Sequence, residues 1–373
     1  MDGKVGARSI VPLLNRRNDE NGTFYEAINI PLFHQKEEEM KRIATLSLIL
    51  VMSLALTVTG TALAAPKWTA KFGHDQPEKS PHHDGALYFK KLVEEGSKGE
   101  IEVKLYPSQL LGTGLQMSEM VQAGALEILA IPTSNMQVLH PALQVLDLPF
   151  LFPNQKILDQ VLDGEVSDAI YKPLLSKNVV GLSWFYSGFK QFTGSFPIRK
   201  PEDFKGHKIR VMPAPVIREQ FKALGASPVP IDFHELYNAL QQGVVDGQEN
   251  PLTTIVTMKF FEVQKYMTLS NHALIAYVFV TSKTFYNYLP AKYQKLLRDA
   301  ARKAGPYQRN LVREREKGFL ETIKKGGVTV IELKPEEQQA FQKAVEPVYD
   351  WFNKNIADGK RYFDMIKAVE KKK

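Results

Sequence analysis

Apolar and polar positions first alternate at WTAKFG (68–73), where Trp68, Ala70 and Phe72 share one side of the chain. That period of two predicts a strand with one covered face. In DGALYFKKLVEEG the apolar residues Leu87, Phe89 and Leu92 or Val93 fall at helical spacing, and the segment is expected to end near Gly96. Alternation returns at IEVKLYP (101–107) through Ile101, Val103 and Leu105. LQMSEMVQAGALEILAIPTS reads as a helix, a stop at Gly124 and a short apolar strand. Strand, helix, strand, helix, strand is the order of a parallel α/β sheet.

Further along, NVVGLSWFYSG (178–188) is almost continuously apolar, as a strand buried on both faces would be. KIRVMP, VPIDF, ALIAYVFVTSKTF and GVTVIEL supply further strands, and IREQFKALG a helix. From Leu289 to Gly327 the pattern is helical with one interruption, Gly305-Pro306. A chain of 373 residues exceeds the roughly 250–300 at which single cores stop growing. No flexible linker follows residue 66, so two α/β lobes meeting at a cleft are expected, the usual seat of a small ligand.

Composition narrows the function. Hydrophobic residues make up 44% and charged residues 24%, an ordinary soluble balance. The absence of cysteine removes disulfides, thiolate metal sites and cysteine nucleophiles. Lys41-Arg42, the uncharged run IATLSLILVMSLALTV and the small-residue site Ala62-x-Ala64 together form a secretory signal pattern, with cleavage after Ala64. The run Ile43–Val58 is 16 residues, short of the roughly 20 a spanning helix requires. Residues 40–64 are therefore read as the signal peptide of an exported protein, and 1–39 as a non-native upstream extension, with translation starting at Met40. Residues upstream of Met40 in the N-terminal sequence of the precursor would refute that start. Basic and acidic side chains balance across 1–64, so the mature chain keeps the net charge of +7. A mildly positive balance suits an anion receptor, and no basic patch interleaved with aromatics points to nucleic acid.

Catalytic signatures are missing: there is no GxSxG elbow, no HExxH and no GxxxxGK[ST] loop. Gly112-Thr-Gly114 lacks the third glycine of a dinucleotide fingerprint. His82 and His83 are adjacent, so they diverge in a strand or a helix, and they read as a solvated helix start beside Asp84 rather than a metal site. No catalytic residue, metal or cofactor is expected. The densest segment is PIDFHELYNALQQGVVDGQENP. Asp232 and Glu235 are spaced as a capping box, Phe233, Leu236, Tyr237 and Leu240 share one apolar face, and Gly243 suits a C-cap. By spacing alone Phe233 is a core aromatic. Gln248, Glu249 and Asn250, just before Pro251, would need partners if buried. In KGHKIRVMPAP, Ile209 and Val211 face one side of a short strand and Arg210 the other, as an edge salt bridge or an anion clamp.

From about Trp68 to Ile366 the chain resembles the substrate-binding proteins of tripartite ATP-independent periplasmic (TRAP) transporters, the DctP family. The resemblance is carried by VKLYPSQLLG, GHKIRVMPAP, ALGASPVPIDFHELYNALQQGVVDGQENPLTTI and KFFEVQKYMTLSNH. It implies an α/β, two-lobe, periplasmic-binding-protein-like fold with a ligand cleft between lobes, crossing strands and a long helix spanning both. Lobe I is expected at 66–187 and 276–315, lobe II at 188–275 and 316–373. The implied function is a monomeric, non-enzymatic receptor delivering a small organic acid anion to small and large permease subunits. Arg210 matches the family's bidentate carboxylate clamp, Asn250 the amide beside it and Phe233 the aromatic against the ligand, while Glu249 and Gln248 stand behind them. Lys190 occupies a position where several relatives carry a second arginine. As a second buried cation it would want a second ligand carboxylate, which points to a C4-dicarboxylate, unless it pairs with an acid such as Glu249. The rival ligands are uronic, sialic or 2-oxo acids, and the rival class is a periplasmic enzyme or sensor partner. His74, Asp75 and Gln76, with Thr133, Ser134 and Asn135, stand at strand C-terminal ends expected to face the cleft.

Overall fold

The computed structural model describes residues 38–47 and 65–371. Residues 38–47 are helical and belong to a separate unit, Met1–Ala62. Most of the upstream extension, and the signal run from 48 onward with its cleavage site, lie outside the described residues. No helix among the described residues is long and apolar enough to cross a membrane.

The unit Leu63–Lys373 is built on a mixed ten-stranded sheet. The three strands read from alternation, β1 (Trp68–His74), β2 (Ile101–Tyr106) and β3 (Ile128–Pro132), lie side by side and parallel with β1 central. The helix between β1 and β2 runs Pro81–Gly96, and the next, Gly114–Ala123, stops at Gly124 in the left-handed conformation that favours glycine. Next come β4 (Val179–Gly194), β5 (Lys208–Val211), β6 (Ser227–Pro230), β7 (Gly247–Pro251), β8 (Tyr266–Leu269), β9 (Leu274–Ser282) and β10 (Thr329–Glu332).

β4 is the crossing strand. Its 16 residues outrun the apolar stretch that ends at Gly188. Up to Phe189 it pairs with β9, which pairs in turn with β3; from Lys190 to Gly194 it pairs with β7 and β8. The register slips at Gly181/Ser183 and at Tyr186/Gly188, and Gly188 takes φ 107°, a conformation that tolerates no ordinary side chain. A bulge leaves strand backbone unpaired. Gln308 fills the gap, accepting from Tyr186 N and donating to Tyr186 O, both at 2.9 Å.

Gln308 lies on the long helix, Ala291–Lys325, which runs unbroken for 35 residues through Pro306. Proline removes one helical hydrogen bond and should break the helix, but tertiary packing outweighs it here. A Cβ at Gly305 would collide with Ser183 and the Trp184 carbonyl, so glycine lets the helix lie directly on β4. Arg309 then donates to Trp184 O at 3.0 Å. The helix Pro335–Asn355 packs against Pro215–Ala223, with Phe341 near Phe192 and Phe204. The last helix, Gly359–Lys371, returns to the first lobe: Tyr362 donates to Ala169 O at 3.3 Å and meets the His140 ring edge-on.

Candidate functional site: a chamber between the lobes

Strand ends from both lobes converge on a small chamber of about 20 Å³. Asp75 follows β1, Pro132 ends β3 and Asn135 stands just beyond it; Gln109 joins them from the loop after β2. That loop is held by Ser108 N and Gln109 N, which donate to Gln76 O and His74 O. Opposite stand Arg210 on β5, Met212 and Pro213 after it, Asp232, Phe233, and Asn250 on β7. Ile275 and Tyr277 of β9 complete the wall. Three contacts bridge the lobes above it: Ser134 Oγ to Met212 Sδ (3.3 Å), Gln137 Nε2 to Pro213 O (3.3 Å) and His234 Nε2 to Asp75 O (3.2 Å). This is a closed form. A wider groove, lined in part by Leu162, Tyr171 and Arg302, is open and contains none of these groups.

Arg210 is 2% exposed, yet no carboxylate lies within 4.0 Å of it among the described residues. Burial pulls its pKa down to about 10, and the charges of Asp232, Glu249 and Asp75 hold it from falling further, so it stays cationic at neutral pH. Nε donates to Ile231 O at 3.0 Å, which orients the guanidinium and leaves its two outer nitrogens free. Asn250 Nδ2 gives one hydrogen to Gln248 Oε1, and Gln248 Nε2 donates to Thr193 Oγ1 at 2.7 Å. One amide hydrogen of Asn250 remains for a ligand. Phe233 is half-buried, with one edge against Phe260 and one face on the chamber. It lies ahead of its helix, which is Leu236–Gln241 and shorter than the capping-box spacing indicates. Asp232 instead accepts from His234 N at 3.1 Å, a local turn that competes with a helix start. Gly243 takes φ 68° just past the helix end, as expected.

The polar trio of GQENP is divided by strand geometry. β7 pairs with β5 and β4, and successive residues point to opposite faces. Gln248 and Asn250 share a face with Arg210. Glu249 shares the other with Lys190 and Phe192, its register neighbours on β4. There Lys190 Nζ meets Glu249 Oε1 at 2.6 Å, both side chains buried, and does not border the chamber. Gln220 Nε2 (2.9 Å) and His272 Nε2 (2.6 Å) hold the second Glu249 oxygen, and Ser270 Oγ meets His272 Nδ1 at 2.7 Å. Burial alone would raise the Glu249 carboxyl, but Lys190 and His272 outweigh it and hold it near 2. Burial keeps His272 below its ordinary value, so it is neutral and donates to Glu249. The expectation that Lys190 is a second free cation therefore loses its premise: Glu249 already takes its charge.

Two other expected contacts are displaced for the same reason. His74 and Asp75 leave the end of β1 on opposite sides; His74 Nε2 meets His83 Nδ1 at 3.1 Å, away from the chamber. Thr133 donates to both Asp147 oxygens, at 3.0 and 3.1 Å, while Asn135 reaches the chamber. His82 and His83 diverge, but His82 is buried against Ser187 Oγ at 3.0 Å rather than solvated. No group of three or more His, Cys, Asp or Glu among the described residues is placed to hold a metal. The residues sequence reasoning missed are mostly apolar, and Tyr277 in particular sits inside a continuous apolar strand with nothing to mark it. Asp232 looked like a cap.

Asp75 is buried on the chamber wall. Burial raises its carboxyl to about 7, against a smaller opposing pull from the Tyr277 hydroxyl. The unfolded value is near 3.9, so between about pH 4 and 7 the folded chain holds a proton that the unfolded chain releases. The residue therefore subtracts stability as pH rises through that window and costs nothing below it. Asp75→Asn is expected to raise the melting temperature of the ligand-free protein at pH 8 and leave it nearly unchanged at pH 4. Equal shifts at both pH values would exclude the buried carboxyl as the cause.

A buried, unpaired guanidinium beside an amide and an aromatic face, between two α/β lobes joined by crossing strands, defines a receptor for small anions. The profile of the bacterial extracellular solute-binding proteins, family 7 (DctP), matches residues 72–355. The 2,3-diketo-L-gulonate-binding periplasmic protein of Escherichia coli is 33% identical over 86% of this chain and 98% of its own. A TRAP periplasmic solute-binding protein of Sulfurospirillum deleyianum, solved with bound succinate, is 35% identical with a TM-score of 0.77, over 82% of this chain and 99% of that one. The sugar acid-binding protein of Advenella mimigardefordensis, in complex with galactonate, is 34% identical with a TM-score of 0.78 over the same shares. The chain belongs to the DctP family of TRAP substrate-binding proteins. It is a receptor for small organic acids and not an enzyme.

Proposed function

We propose that the chain captures its acid by one carboxylate, gripped by the outer nitrogens of Arg210 and the free Asn250 hydrogen and covered by Phe233. The carrying observation is the buried guanidinium with no protein carboxylate against it, since an unpaired buried charge is costly until an anion arrives. Exported behind the signal at 40–64, it works as a monomer and hands the acid to the small and large permease subunits. Lobe I is read as 66–187 and 276–315 and lobe II as 188–275 and 316–373, with the final helix Gly359–Lys371 of the latter packed back on lobe I. A C4-dicarboxylate is the second reading, favoured by the succinate in the Sulfurospirillum relative but no longer by Lys190. Native mass spectrometry of the purified protein should find a small organic acid bound and released unchanged on denaturation. A chemically altered product, or a neutral or cationic ligand, would sink the proposal.

A further inference from the structure

We propose that Asp75 accepts a hydrogen bond from a ligand hydroxyl, so that the receptor takes a hydroxylated acid with a single carboxylate in preference to the dicarboxylate of equal length. The proposal rests on the Arg210 grip and assigns what the other end of the ligand meets. The charges on the chamber wall come first. Arg210 is the one cationic side chain lining it among the described residues, whereas Asp75 and Asp232 both do. Lys190 is committed to Glu249 on the far face of the sheet. A second ligand carboxylate would stand among carboxyls with no cation to meet it, and like charges brought together out of water repel strongly.

Hydrogen-bond accounting points the same way. Asp75 is 2% exposed, and its Oδ1 is buried with no partner. Oδ2 has only the distant Tyr277 hydroxyl, at 3.4 Å. Gln76 Nε2 donates to that hydroxyl at 2.8 Å, which occupies one of its lone pairs and leaves its proton for an acceptor. An orphaned buried acceptor is expensive, so the ligand is expected to bring a donor. An alcohol supplies a donor without a charge. An ammonium would also donate, but it needs several acceptors, and besides the two carboxyls this wall offers neutral Tyr277, Asn135 and Gln109. Their mixed donors and acceptors suit further hydroxyls along a chain.

The test compares acids that differ at one carbon. Aldonates and the matching aldarates share a skeleton and differ in a terminal CH2OH against a terminal carboxylate: erythronate with tartrate, galactonate with galactarate. The γ-amino acid 4-aminobutanoate supplies the ammonium arm. Calorimetric titration at about pH 8.5, where the Asp75 carboxyl (about 7) is ionised, of the mature protein stripped of ligand by denaturation and refolding, should show an aldonate binding at least about tenfold tighter than its aldarate. In Asp75→Asn, which keeps the shape and removes the negative charge, that ratio should fall by about tenfold. Tighter binding of an aldarate or of 4-aminobutanoate, an unchanged ratio in Asp75→Asn, or binding of none of the five would overturn the inference. Arg210→Lys separates the two levels: if it binds aldonates as the wild type does, the grip itself fails, whatever the ratio shows.

Discussion

Arg210→Lys should bind ligand almost as poorly as Arg210→Ala, although it keeps the charge. The grip depends on shape. Nε is held by Ile231 O, so both outer nitrogens are presented together, and a carboxylate can take both. Lysine offers one compact donor group, has no second anchor to the Ile231 carbonyl, and sheds its proton more readily when buried. Losing one charge-assisted hydrogen bond costs about 1.5–3 kcal/mol, the upper end being a loss of over a hundredfold. At a ligand concentration of 100 times the wild-type Kd, binding stabilises the native protein by about 2.7 kcal/mol. A variant weakened about 150-fold would keep only about 0.3 kcal/mol of that. Calorimetric melting with and without ligand reads the difference directly. A wild-type ligand-induced shift in Arg210→Lys would remove Arg210 as the clamp.

The sequence carried the scaffold wherever one residue's neighbours decide its fate. The alternation of β1 and β2, the glycine stops at Gly124 and Gly243 and the helical period of 291–325 are local signals, and they hold in the fold. Arg210 and Asn250, singled out by their motifs, both stand on the chamber wall. What could not be read depends on partners distant in sequence. GQENP has no apolar period and ends in proline, so its strand is imposed by β4 and β5 on either side. Without that strand, nothing separates Glu249 from the residues flanking it. The burial of His82 and the chamber face of Tyr277 are likewise set by packing between β9 and the helix Pro81–Gly96. The end of β4 was misplaced because a bulge at Gly188 looks, in sequence, like a strand terminus.

Lys190 and Glu249 are expected to be worth most as a pair and least apart. Each is buried, and each is the other's nearest opposite charge at 2.6 Å. Removing one leaves the other desolvated and unmatched, which typically costs about 3–5 kcal/mol, a large part of the roughly 5–15 kcal/mol by which domains are folded. Lys190→Met should therefore unfold at markedly lower urea than the wild type, and so should Glu249→Gln. The double variant Lys190→Met/Glu249→Gln should recover much of the loss, because neither charge is then stranded. The pH dependence has a defined sign. Glu249 is held near 2 when folded and lies near 4.3 unfolded, so its share of stability is present above about pH 4.3 and fades as pH falls towards 2. Ligand affinity is the second readout. Because Lys190 faces away from the chamber, whatever Lys190→Met does to affinity should apply equally to aldonates and to succinate. Additive single-variant losses would mean the two charges are not coupled, and a selective loss of succinate in Lys190→Met would return that lysine to the ligand and the receptor to the dicarboxylates.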